Sequence, residues 1–142
     1  EAFIVETEAY TVNDPGSHAY NKKTERNKVM YHEGGCLYVY LCYGVHELMN
    51  IVTDEEGVPS AVLIRGVEPV NFEGRGGGPG LASKALRVTR ELNDASVTSE
   101  ELHVTNGFTP RKIVTTARVG LRAGSELPYR YYIKGNPYVS KT

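Results

Sequence analysis

The sequence predicts an α+β fold, a single domain built on a mostly antiparallel, curved β-sheet with a few flanking helices. Three observations carry this expectation. Segments with strand character outnumber those with helical periodicity. Several of the turns between them are short, which suits antiparallel neighbours. The length of 142 residues fits one hydrophobic core.

The first element is a strand over residues 3–10. Alternation puts Phe3, Val5, Thr7 and Ala9 on one face and Ile4, Glu6, Glu8 and Tyr10 on the other. Asn13-Asp14-Pro15-Gly16-Ser17 is a turn and loop signal. Thr24 is placed to cap a short helix running to about Tyr31, stopped by Gly34-Gly35. Cys36 to Tyr43 is an aromatic and aliphatic strand, and Leu48 to Thr53 continues the sheet after a break near Gly44. Glu55-Glu56-Gly57 makes a turn. The apolar run Ala61-Val62-Leu63-Ile64 reads as a strand covered on both sides.

Residues 73–80, Glu-Gly-Arg-Gly-Gly-Gly-Pro-Gly, read as a flexible loop or as the scar of a longer insertion. The stretch lacks the Gly-Lys-Ser/Thr ending of a P-loop and no Rossmann unit follows it. A helix is expected from about Leu81 to Leu92, with Leu81, Ala85, Val88 and Leu92 forming one apolar stripe. Short strands are expected around Leu102-His103-Val104, Ile113-Val114 and Tyr129 to Ile133. No repeat, low-complexity tract or domain boundary stands out, so residues 1–142 are read as one domain.

The net charge of −1 argues against a strongly basic nucleic-acid binder. Distribution matters more than the sum. Lys22, Lys23, Arg26 and Lys28 face only Glu25 between residues 18 and 30, a patch that fits either phosphate contacts or a solvated loop. Apolar runs are far too short to span a bilayer, and no targeting segment is evident. The chain has no initiator Met and begins inside a strand, so a preceding segment is expected to be missing. Cys36 and Cys42 match no zinc or redox spacing and are expected to be free thiols of a reducing compartment. His32, His46 and His103 show no shared metal-ligand spacing.

Several residues carry candidate chemistry. Glu6, Glu8 and Tyr10 share a strand face with no basic neighbour in the strand. That is either a solvated edge or a general base beside an aromatic surface. Tyr38 and Tyr40 share a face, with Tyr43 near the strand end before Gly44. Such tyrosines either pack the sheet or stack a planar base. Asn50, an amide between apolar residues, either satisfies backbone groups or tests the edge of a base. Arg65 ends an apolar strand and needs a carboxylate or a phosphate. His18 lies in a loop, where a lone histidine is ordinary surface.

Taken in order, these motifs resemble the alkyladenine DNA glycosylase family, also called 3-methyladenine or methylpurine DNA glycosylases. The series is Glu6-Thr7-Glu8-Ala9-Tyr10, His18, Thr24-x-Arg26-Asn27, Leu37-Tyr38-Val39-Tyr40-x-x-Tyr43-Gly44, Met49-Asn50 and Arg65-x-x-Glu68-Pro69. Arg118-Val119-Gly120 and Tyr132-Ile133-Lys134-Gly135-Asn136-Pro137-Tyr138-Val139-Ser140 extend it. The match is strong over residues 5–69 and about 117–140, and weak between. Each motif alone is unspecific; the ordered set is not.

The resemblance implies that Glu8 is the general base that activates a water to attack C1′. It implies that Arg65 helps to hold that water and the neighbouring phosphate. Tyr10, His18 and Tyr40 correspond to the walls that stack a flipped base, with His18 also at its edge. Asn50 corresponds to the residue that crowds the exocyclic amine of guanine, and Tyr43 to the wedge that enters the duplex. Tyr38 is a further pocket or backbone contact, and Arg26 a further DNA or pocket contact. Glu6 has no implied role.

The implied activity is hydrolytic excision of alkylated purines, and of deaminated or etheno purines, from double-stranded DNA. An abasic site is left, and no cofactor, metal or membrane is involved. The protein would act as a monomer, in a bacterial cytoplasm at the nucleoid or in a eukaryotic nucleus. Elementary chemistry agrees. A base inside a duplex must be flipped out before it can be reached, and a wedge and a stacking pocket offset that cost. Alkylated purines are cationic, so tyrosine faces attract them, and they leave readily. One carboxylate positioning water then suffices, where ordinary glycosidases need two. No lysine lies within the pocket-wall motifs, which leaves no amine there for a Schiff-base lyase step. The chain departs from the family in lacking residues before the first strand and in a shortened middle near 73–80. Leu81 falls near where many members have a basic residue. The alternative from the residues alone is a non-catalytic nucleic-acid-binding β domain.

Overall fold

The computed structural model describes residues 1–140. Among them six strands form one sheet: β1 (Ala2–Tyr10), β2 (Leu37–Cys42), β3 (His46–Val52), β4 (Ala61–Pro69), β5 (Ile113–Thr116) and β6 (Arg130–Ile133). The order is β2-β3-β4-β1-β6-β5, and every pairing is antiparallel. One α-helix, α1 (Pro79–Ala85), and two 3₁₀ turns, Lys28–Tyr31 and Arg90–Leu92, flank it. This is the expected α+β class, a single small domain with the sheet dominant.

Register explains the two cores. Tyr38 pairs with Asn50, Asn50 with Leu63, Leu63 with Glu8, and Glu8 with Arg130. Residues directly opposite in an antiparallel pair project to the same face. One row therefore crosses five strands with Tyr38, Asn50, Leu63, Glu8 and Arg130 side by side. On this face Tyr38, Val52 and Ala61 pack against Val29 and Met30 of the 3₁₀ turn Lys28–Tyr31 and against Ala19. The opposite face carries Leu37, Val39, Met49 and Ile64, which pack on Ala82 of α1, Val88 and Val97. Each side of the sheet thus has its own hydrophobic cluster, and the chemistry lies on the side of the Tyr38 cluster.

The strand over 3–10 forms, but it is no solvated edge. β1 lies between β4 and β6, and the Glu6 and Glu8 side chains are both buried. A bulge between Ile4 and Thr7 breaks the simple alternation, so Val5 and Glu6 are buried in succession while Ile4 is exposed.

The helix expected over Leu81 to Leu92 is shorter. α1 stops at Ala85 because Arg87 takes a left-handed φ of 55°. The Arg87 N–H then donates to the Lys84 carbonyl and the Val88 N–H to the Ser83 carbonyl, the pattern of a Schellman cap. The apolar stripe continues across this break, since Val88 and Leu92 still pack on the α1 side. Periodicity alone therefore could not see the stop. The helix expected from Thr24 is likewise only the 3₁₀ turn Lys28–Tyr31. Of the strand expected at 102–104, only a bridge between Thr98 and His103 forms.

Residues 73–80 are not a loose loop. The Gly76 carbonyl accepts from the Val67 N–H at 3.0 Å, and the Gly78 N–H donates to the Arg65 carbonyl at 2.9 Å. The segment pairs with β4 beyond the stretch that pairs with β3. A Cβ at Gly76 would lie 1.9 Å from the Val67 carbonyl oxygen, so only glycine allows this approach. Both cysteines are free.

Candidate active site

The site forms where β1 and β4 bring acids and an arginine to the same face as the tyrosines of β2. Glu8 has no exposed surface. Its Oε1 accepts a hydrogen bond from the Tyr10 hydroxyl at 2.9 Å, and its Oε2 accepts one from the Val119 N–H at 2.7 Å. Arg65 Nη1 lies 3.5 Å from Oε1. Two hydrogen bonds and one nearby guanidinium thus converge on Glu8. Strand alternation explains the Tyr10 contact, because residues two apart share a face.

Glu6 is the hub next to it. Its Oε1 accepts from Arg65 Nε at 3.1 Å, Arg130 Nε at 2.8 Å and the Ser140 hydroxyl at 2.8 Å, and its Oε2 accepts from the Ser140 N–H at 2.6 Å. Burial pushes the Glu6 carboxyl up, but hydrogen bonds from Ser140 and Arg130 and the charge of Arg65 outweigh it and hold it below the usual range. Arg65 is therefore answered by carboxylates. It binds Glu6 directly, reaches Glu8, and donates through Nη2 to the Ser140 hydroxyl.

Beside Glu8 opens a cleft lined by Tyr10, His18, Tyr38, Tyr40 and Asn50, with Gly16, Met30 and Leu121 completing its wall. The rings of Tyr38 and Tyr40 lie 5.5 Å apart with their planes tilted by 32°. His18 meets Tyr40 edge-on at 4.2 Å, and its Nδ1 lies 3.2 Å from the Tyr38 hydroxyl. Burial, helped by the charge of Arg26, lowers the His18 pKa, so the imidazole is neutral at pH 7. Burial pushes the Tyr38 hydroxyl up to about 12, and the Tyr10 and Tyr40 hydroxyls rise further, so all three stay neutral donors. Asn50 is buried and donates through Nδ2 to the Tyr38 carbonyl at 3.2 Å.

The structure thus brings together Glu8, Arg65, Tyr10, His18, Tyr38, Tyr40 and Asn50. Arg26 sits behind the wall, with Nη2 donating to the Leu41 carbonyl at 2.8 Å and its guanidinium 5.8 Å from the Tyr40 ring. Tyr43 stands apart from the cleft. It occupies the turn between β2 and β3 with its side chain 91% exposed and a φ of 52°, followed by Gly44 at 67°. A hairpin turn of this kind needs positive φ at both positions, which a tyrosine adopts only at a cost. The Val45 N–H closes the turn on the Cys42 carbonyl.

Some of the machinery was not visible in the sequence. Asp14 looks like a turn residue. In the structure it is a buried anchor for Arg118, whose Nη2 donates to Asp14 Oδ1 at 2.7 Å and to the Gly124 carbonyl at 2.9 Å. Arg118 Nη1 donates to the Ala9 carbonyl at 2.8 Å, and the guanidinium lies 4.7 Å from the Tyr10 ring. This pair fixes Val119, the next residue, where its N–H meets Glu8. Asn27 has a similar part. It is buried, and its side-chain amide donates to the carbonyls of His18 and Lys22, both at 3.0 Å, holding the loop that carries His18. Asn27 and Arg118-Val119 stand in motifs that carry the family resemblance, but no sequence pattern shows these contacts, and Asp14 reads only as an acid before a Pro-Gly turn.

Comparison with known proteins shows the family. The family model for methylpurine-DNA glycosylase matches residues 1–137. A Carboxydothermus hydrogenoformans protein is 44% identical over 97% of this chain and 81% of its own length. A Legionella pneumophila protein is 43% identical over 98% of this chain and 80% of its own. A Methanoculleus marisnigri protein is 40% identical over 97% and 81%. All three are named as candidate 3-methyladenine DNA glycosylases. Matched along nearly its whole length by the family model and by such relatives, the chain belongs to the methylpurine-DNA glycosylase family of DNA repair enzymes.

Proposed function

We propose that this enzyme excises alkylated purines of the 3-methyladenine type from double-stranded DNA by hydrolysis, acting as a monofunctional glycosylase. The observation that supports this most is the placement of Glu8 beneath Tyr10, at the edge of a cleft walled by tyrosines and a neutral histidine.

The flipped base stacks between Tyr10, His18 and Tyr40. A cationic purine gains from the electron-rich tyrosine faces, by about 0.5–2 kcal/mol for a cation over a ring. Asn50, fixed by the Tyr38 carbonyl, crowds a purine that carries a 2-amino group and so disfavours guanine. Tyr43, exposed on its turn, enters the duplex where the base has left, and Arg26 with the lysines around it meets phosphate.

Glu8 accepts a proton from the attacking water as the new C–O bond forms at C1′. The glycosidic electron pair leaves with the base, which departs neutral when it began as a cation. A carboxylate offers about four acceptor positions. Tyr10, Val119 and Arg65 occupy three, which leaves capacity for the water. Arg65 and Arg130 neutralise Glu6, so Glu8 is the acid left to act on water. Hypoxanthine and etheno-adenine, which are neutral, need a proton on the leaving base, and among the described residues no acid beside the cleft is placed to give it. They are therefore predicted to be the slower substrates.

The test is base release from duplexes carrying a single 3-methyladenine, hypoxanthine, ethenoadenine or undamaged guanine. The proposal expects free 3-methyladenine and an abasic strand without strand cleavage, with slower release of the neutral bases. No release from the alkylated duplex, or cleavage by β-elimination, would contradict it.

A further inference from the structure

We infer a second site, a divalent-cation site formed by His32, Cys36 and Asp94, which takes Zn²⁺. The imidazole nitrogen of His32, the sulfur of Cys36 and a carboxylate oxygen of Asp94 all lie within 4.8 Å of one another. Among the described residues no other trio of His, Cys, Asp or Glu side chains converges this way. The site is independent of the cleft and lies at the opposite end of β2 from the Tyr43 turn.

Three elements bring these side chains together. His32 follows the 3₁₀ turn Lys28–Tyr31, and its N–H closes that turn on the Val29 carbonyl. Cys36 immediately precedes β2. Asp94 follows the 3₁₀ turn Arg90–Leu92. The Asp94 N–H donates to the Leu37 carbonyl and the Leu37 N–H to the Ala95 carbonyl, both at 2.8 Å, so the backbones on either side of the site are paired. The donors are separated by 62 positions between His32 and Asp94, which is why no spacing in the sequence reveals them.

A His–Asp contact alone is an ordinary hydrogen bond, here 2.8 Å from Nδ1 to Oδ1. The convergence of a thiol on the same point is what distinguishes this trio. Nitrogen, sulfur and carboxylate oxygen form a donor set suited to Zn²⁺ and poorly suited to Mg²⁺ or Ca²⁺. In a tetrahedral site with metal–ligand bonds of about 2.0–2.3 Å the donors stand roughly 3.3–3.6 Å apart. The His–Asp pair has to open slightly and the sulfur to close in, which side-chain rotation provides. The Cys36 S–H, now directed at the Glu33 carbonyl, gives up its proton on binding. His32 and Asp94 are both about half exposed, which gives a metal ion entry and leaves a fourth position to water. Bound Zn²⁺ would staple the 3₁₀ turn before β2 to the turn after α1, at the β2 edge of the sheet.

The experiment is a calorimetric titration of the metal-free protein with Zn²⁺, with Co²⁺ absorbance as a second readout. The inference expects a single Zn²⁺ per chain, a raised thermal midpoint, and an affinity that falls at least about tenfold in His32→Ala and in Cys36→Ser. It also expects a sulfur-to-cobalt absorption band that Cys36→Ser removes and Cys42→Ser keeps. Absence of binding, or binding unchanged in His32→Ala, overturns it. His32 is half exposed, so that variant decides the matter even if Cys36→Ser does not fold.

Discussion

Asp14 and Arg118 show how much the cleft owes to residues outside it. Both side chains are fully buried, so removing one leaves the other charged and unpaired away from water. Breaking such a pair costs about 3–5 kcal/mol. Asp14→Asn is therefore expected to lose roughly that much stability in urea denaturation. It should also slow base release, because the Val119 N–H loses its fixed place on Glu8. A stability within about 1 kcal/mol of the parent would show the pair to be dispensable.

The same residues set the acid limb of stability. Burial raises the Asp14 carboxyl, but Arg118 and the amides of Gly16 and Thr11 outweigh it and hold it below its ordinary 3.8; Glu6 is held below 4.5 in the same way. The unfolded chain protonates these groups at higher pH than the fold does. Their contribution is thus complete above their ordinary values and lost as pH falls through the lowered ones. His18 acts in the same direction at higher pH. Burial keeps it neutral in the fold, while the unfolded chain protonates near 6.5, so stability begins to fall below that pH. The urea midpoint measured between pH 8 and pH 3 should fall in two stages, and His18→Phe should remove the first. A flat profile down to pH 5 in the parent would contradict the neutral imidazole.

At the scale of elements, the turn bearing Tyr43 and the glycine-rich segment behave oppositely. Tyr43 packs against little and sits in a left-handed conformation that suits glycine. Tyr43→Gly is expected to leave stability within about 1 kcal/mol of the parent while lowering lesion-DNA binding and excision. Unchanged excision would remove Tyr43 from the wedge role. Gly76 packs tightly against Val67. Gly76→Ala places a Cβ in the Val67 carbonyl, so the extra rung on β4 must move away. A loss of about 1–3 kcal/mol in chemical denaturation is expected. A neutral effect would mean that the segment is not held there in solution.

These elements also mark what a sequence can show. The strands β1 to β4 were legible because their apolar and aromatic runs are long and bounded by turn residues. The glycine run was not, because a close backbone approach and a flexible linker share one composition. The end of α1 was hidden for a different reason. Val88 and Leu92 continue the apolar stripe after the helix has stopped, and the stop is made by an arginine in a conformation that glycine usually takes.

Over the whole molecule, the site is assembled by contacts that no local pattern carries. Glu6 meets Arg65 across 59 positions, Arg130 across 124 and Ser140 across 134. Strand alternation puts two carboxylates on one face and leaves them equivalent, and only the family resemblance picks out Glu8. The fold separates them. Glu6 is consumed by two arginines and the Ser140 segment and holds the sheet to the end of the described chain. Glu8 is met by a hydroxyl, an amide and one more distant guanidinium, beside the cleft. The residues that carry the family resemblance, from Tyr10 through Asn50, were legible as an ordered set. Asn27, Arg118 and Val119 stood in motifs of that resemblance without a readable role, and Asp14 read only as a turn residue, because each acts through the backbone or through a partner that no local pattern shows.

The separation of Glu6 from Glu8 is the central claim, and Glu8→Gln tests it. The substitution keeps the shape of the side chain and removes its capacity to take a proton from water. Single-turnover release of 3-methyladenine from duplex DNA should fall by at least about a hundredfold, the lower range for loss of a general base. Binding of the same duplex, followed by fluorescence anisotropy, should remain within a few-fold of the parent. Release at the parent's rate by a folded Glu8→Gln protein would contradict the account.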